Sequence, residues 1–256
     1  MIQKINRLVE TVVKGFVGTS DLECVQRIPY HGGGLPDSPL FCLKADLIFR
    51  GSIPPFPDRL QFLSRPQFVE TSLSREKDRF FLEDMPVHLN YKQVSTIEAE
   101  LAALGNPRTS HLDTTYGLFR LHHGIPAYEK SPWLKEVKER LQTLPESFWA
   151  FQRNNLSGRL EHLLSDLAAA VFNRDPLFFQ ISLASFLQTL AEFLFALSRQ
   201  FVCPPEELKF QLDGLGTLPP GFTGYFDSLV RDDGEFDHER RLALARHLAE
   251  SVLANS

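Results

Sequence analysis

The chain has 256 residues, 43% of them apolar and 23% charged, which is enough to build one large core or two modest ones. A net charge of −5 argues against a broad nucleic-acid-binding surface. Cys24, Cys42 and Cys203 are odd in number and widely spaced, so neither a disulfide framework nor a zinc site is expected.

From the start of the chain, Ile5, Leu8, Val9, Val12, Val13 and Phe16 form the apolar stripe of an amphipathic helix. Leu22 to Ile28 is expected to be a strand. It leads into His31-Gly32-Gly33-Gly34, where three glycines allow a sharp turn and close approach of the backbone to a ligand. Leu40 to Phe49 reads as a buried strand carrying one carboxylate, Asp46. A short helix is expected over Asp58 to Leu63. Residues 64–79 are polar, with Ser72 to Asp78 solvated. Arg79 to Leu82 and Val87 to Tyr91 make a hairpin, and Val94 to Leu104 a helix that stops at Gly105-Asn106-Pro107.

After Pro107 the periodicity disappears. Residues 108–132 read as a linker between domain 1–107 and domain 133–256. Helices are expected over Trp133 to Leu144, Glu146 to Phe172, Pro176 to Phe201, Glu206 to Leu212, Phe222 to Val230 and His238 to Leu253. The run Phe178–Leu197 is interrupted by Gln180, Gln188 and Glu192, and the N-terminus lacks the pattern of a signal peptide. The expectation is therefore a soluble, cytoplasmic protein with no membrane contact. The fold class is α+β: a small mixed sheet with flanking helices, then an all-α bundle.

Several segments resemble the nucleotidyltransferase superfamily, in the form that joins a minimal nucleotidyltransferase domain to a helical domain. They are Asn173-Arg174-Asp175, Phe195-Ala196-Leu197-Ser198-Arg199, Phe201-Val202-Cys203-Pro204 with Lys209, and the stretch from Thr115-Tyr116-Gly117 to Gly124-Ile125-Pro126. The nearest group is DUF4037-like, with kanamycin nucleotidyltransferase more distant. In that superfamily a Gly-Gly or Gly-Ser turn is followed about ten residues later by Asp-apolar-Asp-apolar, and a third carboxylate sits on a later strand.

Here Gly33 and Gly34 fit the turn, and Lys44-Ala45-Asp46-Leu47 follows ten residues later. The first acid falls on Lys44, the third on His88, and only Asp46 remains. Nucleotidyl transfer needs Mg²⁺ held by hard oxygen donors. A protonated lysine has no lone pair to offer, and histidine suits softer metals. Losing such help costs about 10²–10⁴-fold.

The resemblance with these substitutions implies a degenerate transferase, a pseudoenzyme that binds a nucleotide or small phosphorylated ligand in a cleft between its domains. Asp46 would be the remaining catalytic acid and a weak site for Mg²⁺. Gly33, Gly34 and Lys44 would hold phosphate, with His88, Arg174, Asp175 and Lys209 along the substrate cleft. Two alternatives stand beside it. One is an active Mg²⁺-dependent transferase acting on a small hydroxylated acceptor, with Asp37 and Asp21 as acids in another register. The other is a protein-interaction module. A homodimer is left open. Each residue also has a plain structural role available: Asp46 an ion pair, His88 a satisfied hairpin histidine, and Asp175 the cap of the helix begun at Pro176.

Overall fold

The computed structural model describes residues 2–30, 41–63, 66–104, 114–231 and 237–254. The glycine turn at 32–34 and Asp37 lie outside them. Contacts divide the chain into two compact units: Met1–Leu112 with Gly117–Leu144, and Asp113–Tyr116 with Pro145–Ser256.

The first unit is a six-stranded mixed sheet ordered β3-β4-β5-β2-β1-β6. Its strands are β1 (Leu22–Arg27), β2 (Leu43–Phe49), β3 (Gln67–Thr71), β4 (Lys77–Leu82), β5 (Met85–Gln93) and β6 (Ile125–Glu129). Strands β2 and β5 run parallel at the centre, and every other neighbouring pair is antiparallel. Helix α1 (Ile2–Phe16) lays Ile5, Leu8, Val12 and Phe16 on one face of the sheet. There they meet Leu43, Ala45, Leu47 and Phe49 of β2 and Val87, Leu89 and Tyr91 of β5. Each large side chain buried this way contributes roughly 1.5–3 kcal/mol.

Helix α2 (Phe56–Phe62) is anchored on that same face by a buried cation. Arg59 donates from Nη2 to Asp78 Oδ1 at 3.2 Å, and its guanidinium lies 4.2 Å from the centre of the Tyr91 ring. The β4–β5 hairpin turns through Glu83 and Asp84, both at positive φ (48° and 60°). Two such residues match the right-handed twist of the flanking strands.

Of the expected linker, the described residues from Gly117 onward group with the first unit, and Thr114 to Tyr116 with the second. Within that linker lie α4 (Tyr116–His123) and β6, which pairs with β1 and closes that edge of the sheet. Helices α3 (Val94–Leu104) and α5 (Trp133–Gln142) complete the unit, so α5 falls in the first unit rather than the helical domain. Trp133 of α5 donates from its indole Nε1 to Glu98 of α3 at 2.7 Å.

The second unit is helical: α6 (Glu146–Asn173), α7 (Pro176–Leu197), α8 (Leu208–Asp213), α9 (Phe222–Val230) and α10 (His238–Leu253). Helix α7 buries Phe179, Phe186, Leu190, Phe193 and Leu194. Among the described residues it is the one helix long and apolar enough to cross a membrane, and 56% of that stretch is buried within the protein. The architecture is the expected α+β, with the sheet first and the helices after it.

Candidate functional site

Side chains alternate along β2, so Leu43, Ala45, Leu47 and Phe49 face the core while Lys44 and Asp46 face the other way. On β5 the same alternation sends Val87, Leu89 and Tyr91 to the core and His88, Asn90 and Lys92 to the opposite face. The parallel register sets Lys44 beside His88 and Asp46 beside Asn90. Lys44 and His88 are therefore neighbours across the pair of central strands.

Asp46 is fully buried. Arg120, from α4, donates from Nε to both carboxylate oxygens, at 3.2 Å (Oδ1) and 3.1 Å (Oδ2), and its Nη2 also bonds Oδ1. Gln26 Nε2 donates to Oδ2 and Asn90 Nδ2 to Oδ1, each at 3.2 Å, and Lys92 Nζ stands 3.9 Å from Oδ2. The Gln26 amide also reaches the Arg120 carbonyl at 3.0 Å, so the side chain and backbone of Arg120 are both held. Burial alone raises the Asp46 carboxyl. The charges of Lys92 and Arg120 and the hydrogen bonds from Arg120 and Gln26 outweigh it, and the group sits below the usual carboxylate range.

This donor set does not fit a magnesium ion. Mg²⁺ requires oxygen lone pairs in near-octahedral array, and both oxygens of Asp46 are already occupied by nitrogen donors. Among the described residues, no three His, Cys, Asp or Glu side chains gather as a metal-binding group. Asp21, the alternative acid, is exposed in the turn before β1, where its carbonyl accepts from Arg50 N at 2.8 Å. That turn lies beside the Phe49 end of β2, away from Lys44.

The face around Lys44 is cationic instead. Arg79 of β4 stands opposite His88, continuing the row Arg79–His88–Lys44 across three strands. His88 is half-buried, and its burial, then the charges of Arg79, Lys44 and Arg120, push its pKa down against a smaller opposing pull from Glu70. The imidazole thereby gives up its proton more readily than an ordinary histidine.

The other expected cleft residues belong to the second unit. Asp175 is the N-cap of α7, its Oδ1 accepting from Phe178 N at 3.0 Å. Arg174 ends α6 in the left-handed conformation (φ 53°). It also borders an open cavity of about 410 Å³ with Val171, Pro176, Asp237, His238 and Glu239. Lys209 is shared by Asp213 at 2.7 Å and Asp227 at 2.9 Å. Burial lowers its pKa, and the two carboxylates more than compensate.

Gln26, Asn90 and Arg79 were legible in principle, as residues opposite a candidate on a neighbouring strand, and Lys92 as the next outward-facing residue on β5 after Asn90. Arg120 carried no such signal.

No family model matches the chain, and no curated protein matches it. Among solved structures, the chain is similar to a crystal structure of a nucleotidyltransferase-like protein from Exiguobacterium sibiricum 255-15. The TM-score is 0.50 at 14% sequence identity, over 97% of this chain and 74% of that one. At such identity the likeness speaks for the fold, which is nucleotidyltransferase-like.

Proposed function

We propose that this protein binds a nucleotide, or a small molecule carrying a comparable phosphate group, without magnesium and without transferring a nucleotidyl group. The observation that carries this is the in-register pair Lys44–His88 beside an Asp46 already neutralised by Arg120. In a working transferase those seats need metal-binding carboxylates. Here they hold a lysine and a histidine, and the remaining acid is spent on an arginine. A fixed ammonium attracts phosphate oxygens directly, as a point charge. His88 adds a ring nitrogen to the row. The likeness of Phe195 to Arg199 and its surroundings to the DUF4037-like helical half agrees with descent from a transferase.

Thermal-shift measurements with ATP, GTP, CTP and UTP, each with Mg²⁺ and with a chelator, test the proposal. Stabilisation is expected to be the same with and without the metal, and to vanish in Lys44→Ala. Stabilisation that requires Mg²⁺ would restore the active-transferase alternative.

A further inference from the structure

Two phenylalanines on the outer strands lie outside the core. Phe68 of β3 is 84% exposed and Phe81 of β4 is 40% exposed, and their rings meet edge to face with centroids 6.0 Å apart. Exposed aromatics beside a sheet edge forgo burial and invite association. Phe68 also stands at φ 51°, in the left-handed region that is costly for any residue with a Cβ. The β3–β4 register slips between Gln67 and Glu70. This bulge leaves Val69 against the core and Phe68 on the opposite side with Phe81. Bulges re-aim side chains, and strain of this kind gathers where a side chain is put to use.

That side is the cationic one. Phe81 and Arg79 are two residues apart on β4 and share a face, and the register continues from Arg79 to His88 to Lys44. With strands about 4.8 Å apart and about 3.4 Å between residues, Lys44 is roughly 10 Å across the sheet from Arg79, and Phe81 roughly 7 Å along β4 from it. Flat aromatic surface thus adjoins two positive charges, Arg79 and Lys44, with His88 between them. A nucleotide has the complementary layout, a flat base joined through one sugar to its phosphates. Glu70 sits 3.8 Å from Arg79, an exposed pair weak enough for phosphate to displace.

We infer that Phe68 and Phe81 form a stacking platform for the base of a nucleotide whose phosphates lie on Arg79, His88 and Lys44. This rests on the phosphate-binding role proposed above and adds what recognises the base. Stacking reads no base edge, so the platform discriminates little among the four bases.

The test is equilibrium titration of the full chain in chelator with three probes: ATP, inorganic tripolyphosphate and adenosine. Phe68→Gly is expected to weaken ATP by roughly 5- to 150-fold, the range for loss of one stacked aromatic, and to leave tripolyphosphate unchanged. Its melting temperature should not fall, because glycine tolerates the left-handed backbone. Phe68→Trp keeps ATP affinity, and Phe81→Leu repeats the selective loss. Adenosine alone binds weakly and loses what remains in Phe68→Gly. Lys44→Ala weakens ATP and tripolyphosphate together. If Phe68→Gly and Phe81→Leu bind ATP as the wild type does while Lys44→Ala does not, the platform is wrong and the phosphate site stands. If the wild type binds neither ATP nor tripolyphosphate, both are wrong. Tighter binding of an adenine oligonucleotide than of ATP would also overturn the assignment, in favour of a single strand.

Discussion

Asp46→Asn separates two roles for this acid, a structural ion pair and a metal-binding one, by the sign of its effect on stability. The Asp46 side chain is 0% exposed and that of Arg120 is 7% exposed, so water screens the pair very little. Asparagine keeps the shape but replaces one acceptor oxygen with a second donor, facing donors from Arg120, Gln26 and Asn90. It also leaves the Arg120 guanidinium buried without its counter-charge. Breaking a buried pair from one side costs about 3–5 kcal/mol. For a unit of this size that lowers the melting temperature by roughly 10 °C or more. An acid kept for metal chemistry behaves oppositely, because removing it relieves strain held for function.

The measurement is denaturant unfolding followed by Trp133 fluorescence in a Trp149→Phe background, since Trp133 reports the first unit. The double variant Asp46→Leu/Arg120→Met should recover most of the loss, because the buried carboxylate and guanidinium leave together and only the part-exposed Lys92 loses a partner. The carboxyl pKa is depressed in the folded protein, so its stabilisation is present above the unfolded value near 3.9 and disappears as pH falls through the lower folded value. The asparagine variant should lack that acid-side loss. An Asp46→Asn protein as stable as the wild type, or more so, would refute the structural assignment of this acid.

Two further outcomes are expected in the helical unit. Glu192 is buried in α7 with its Oε1 accepting from Gln188 at 2.9 Å; burial raises its carboxyl, against smaller lowering by Gln188 and Arg159. A raised acid contributes its stability below the unfolded value and loses it as pH rises through the folded one. Glu192→Gln should therefore stabilise the protein by about 1 kcal/mol at pH 7.5 and by less at pH 5, and equal melting shifts at the two pH values would count against it. Asp175→Ala should cost about 1 kcal/mol through loss of the α7 cap and leave ATP titrations unchanged. Weakened ATP binding without a stability loss would return Asp175 to the ligand site.

The sequence exposed those parts of the fold whose burial is periodic. The α1 stripe, the β4–β5 hairpin and helices α6, α9 and α10 show a repeat that one buried face imposes, while β2 and α7 stand out as apolar runs buried nearly all round. Strand β6 shows neither, because Ile125–Glu129 is mostly exposed, with Tyr128 alone packing on the core, and its place is set by pairing with β1. Its Pro126 also argues against a strand, yet an edge position tolerates a residue that cannot donate. Strand β3 escaped notice for a similar reason: its five residues are exposed or half-buried around a bulge. At the site, Lys44 and His88 were singled out by the spacing of a motif that the sequence resembles. The partner of Asp46 was not, since 74 residues separate Asp46 from Arg120 and only the closed tertiary structure brings them together.

That separation has a consequence for synthesis. While the ribosome is still adding residues 50 to 115, the emerging sheet has neither the strand that closes its β1 edge nor the guanidinium that offsets its central acid. Both arrive within ten residues of each other, on α4 and β6. A nascent chain stalled before residue 116 would be sticky and prone to capture by chaperones, whereas one released past residue 144 has everything the sheet requires.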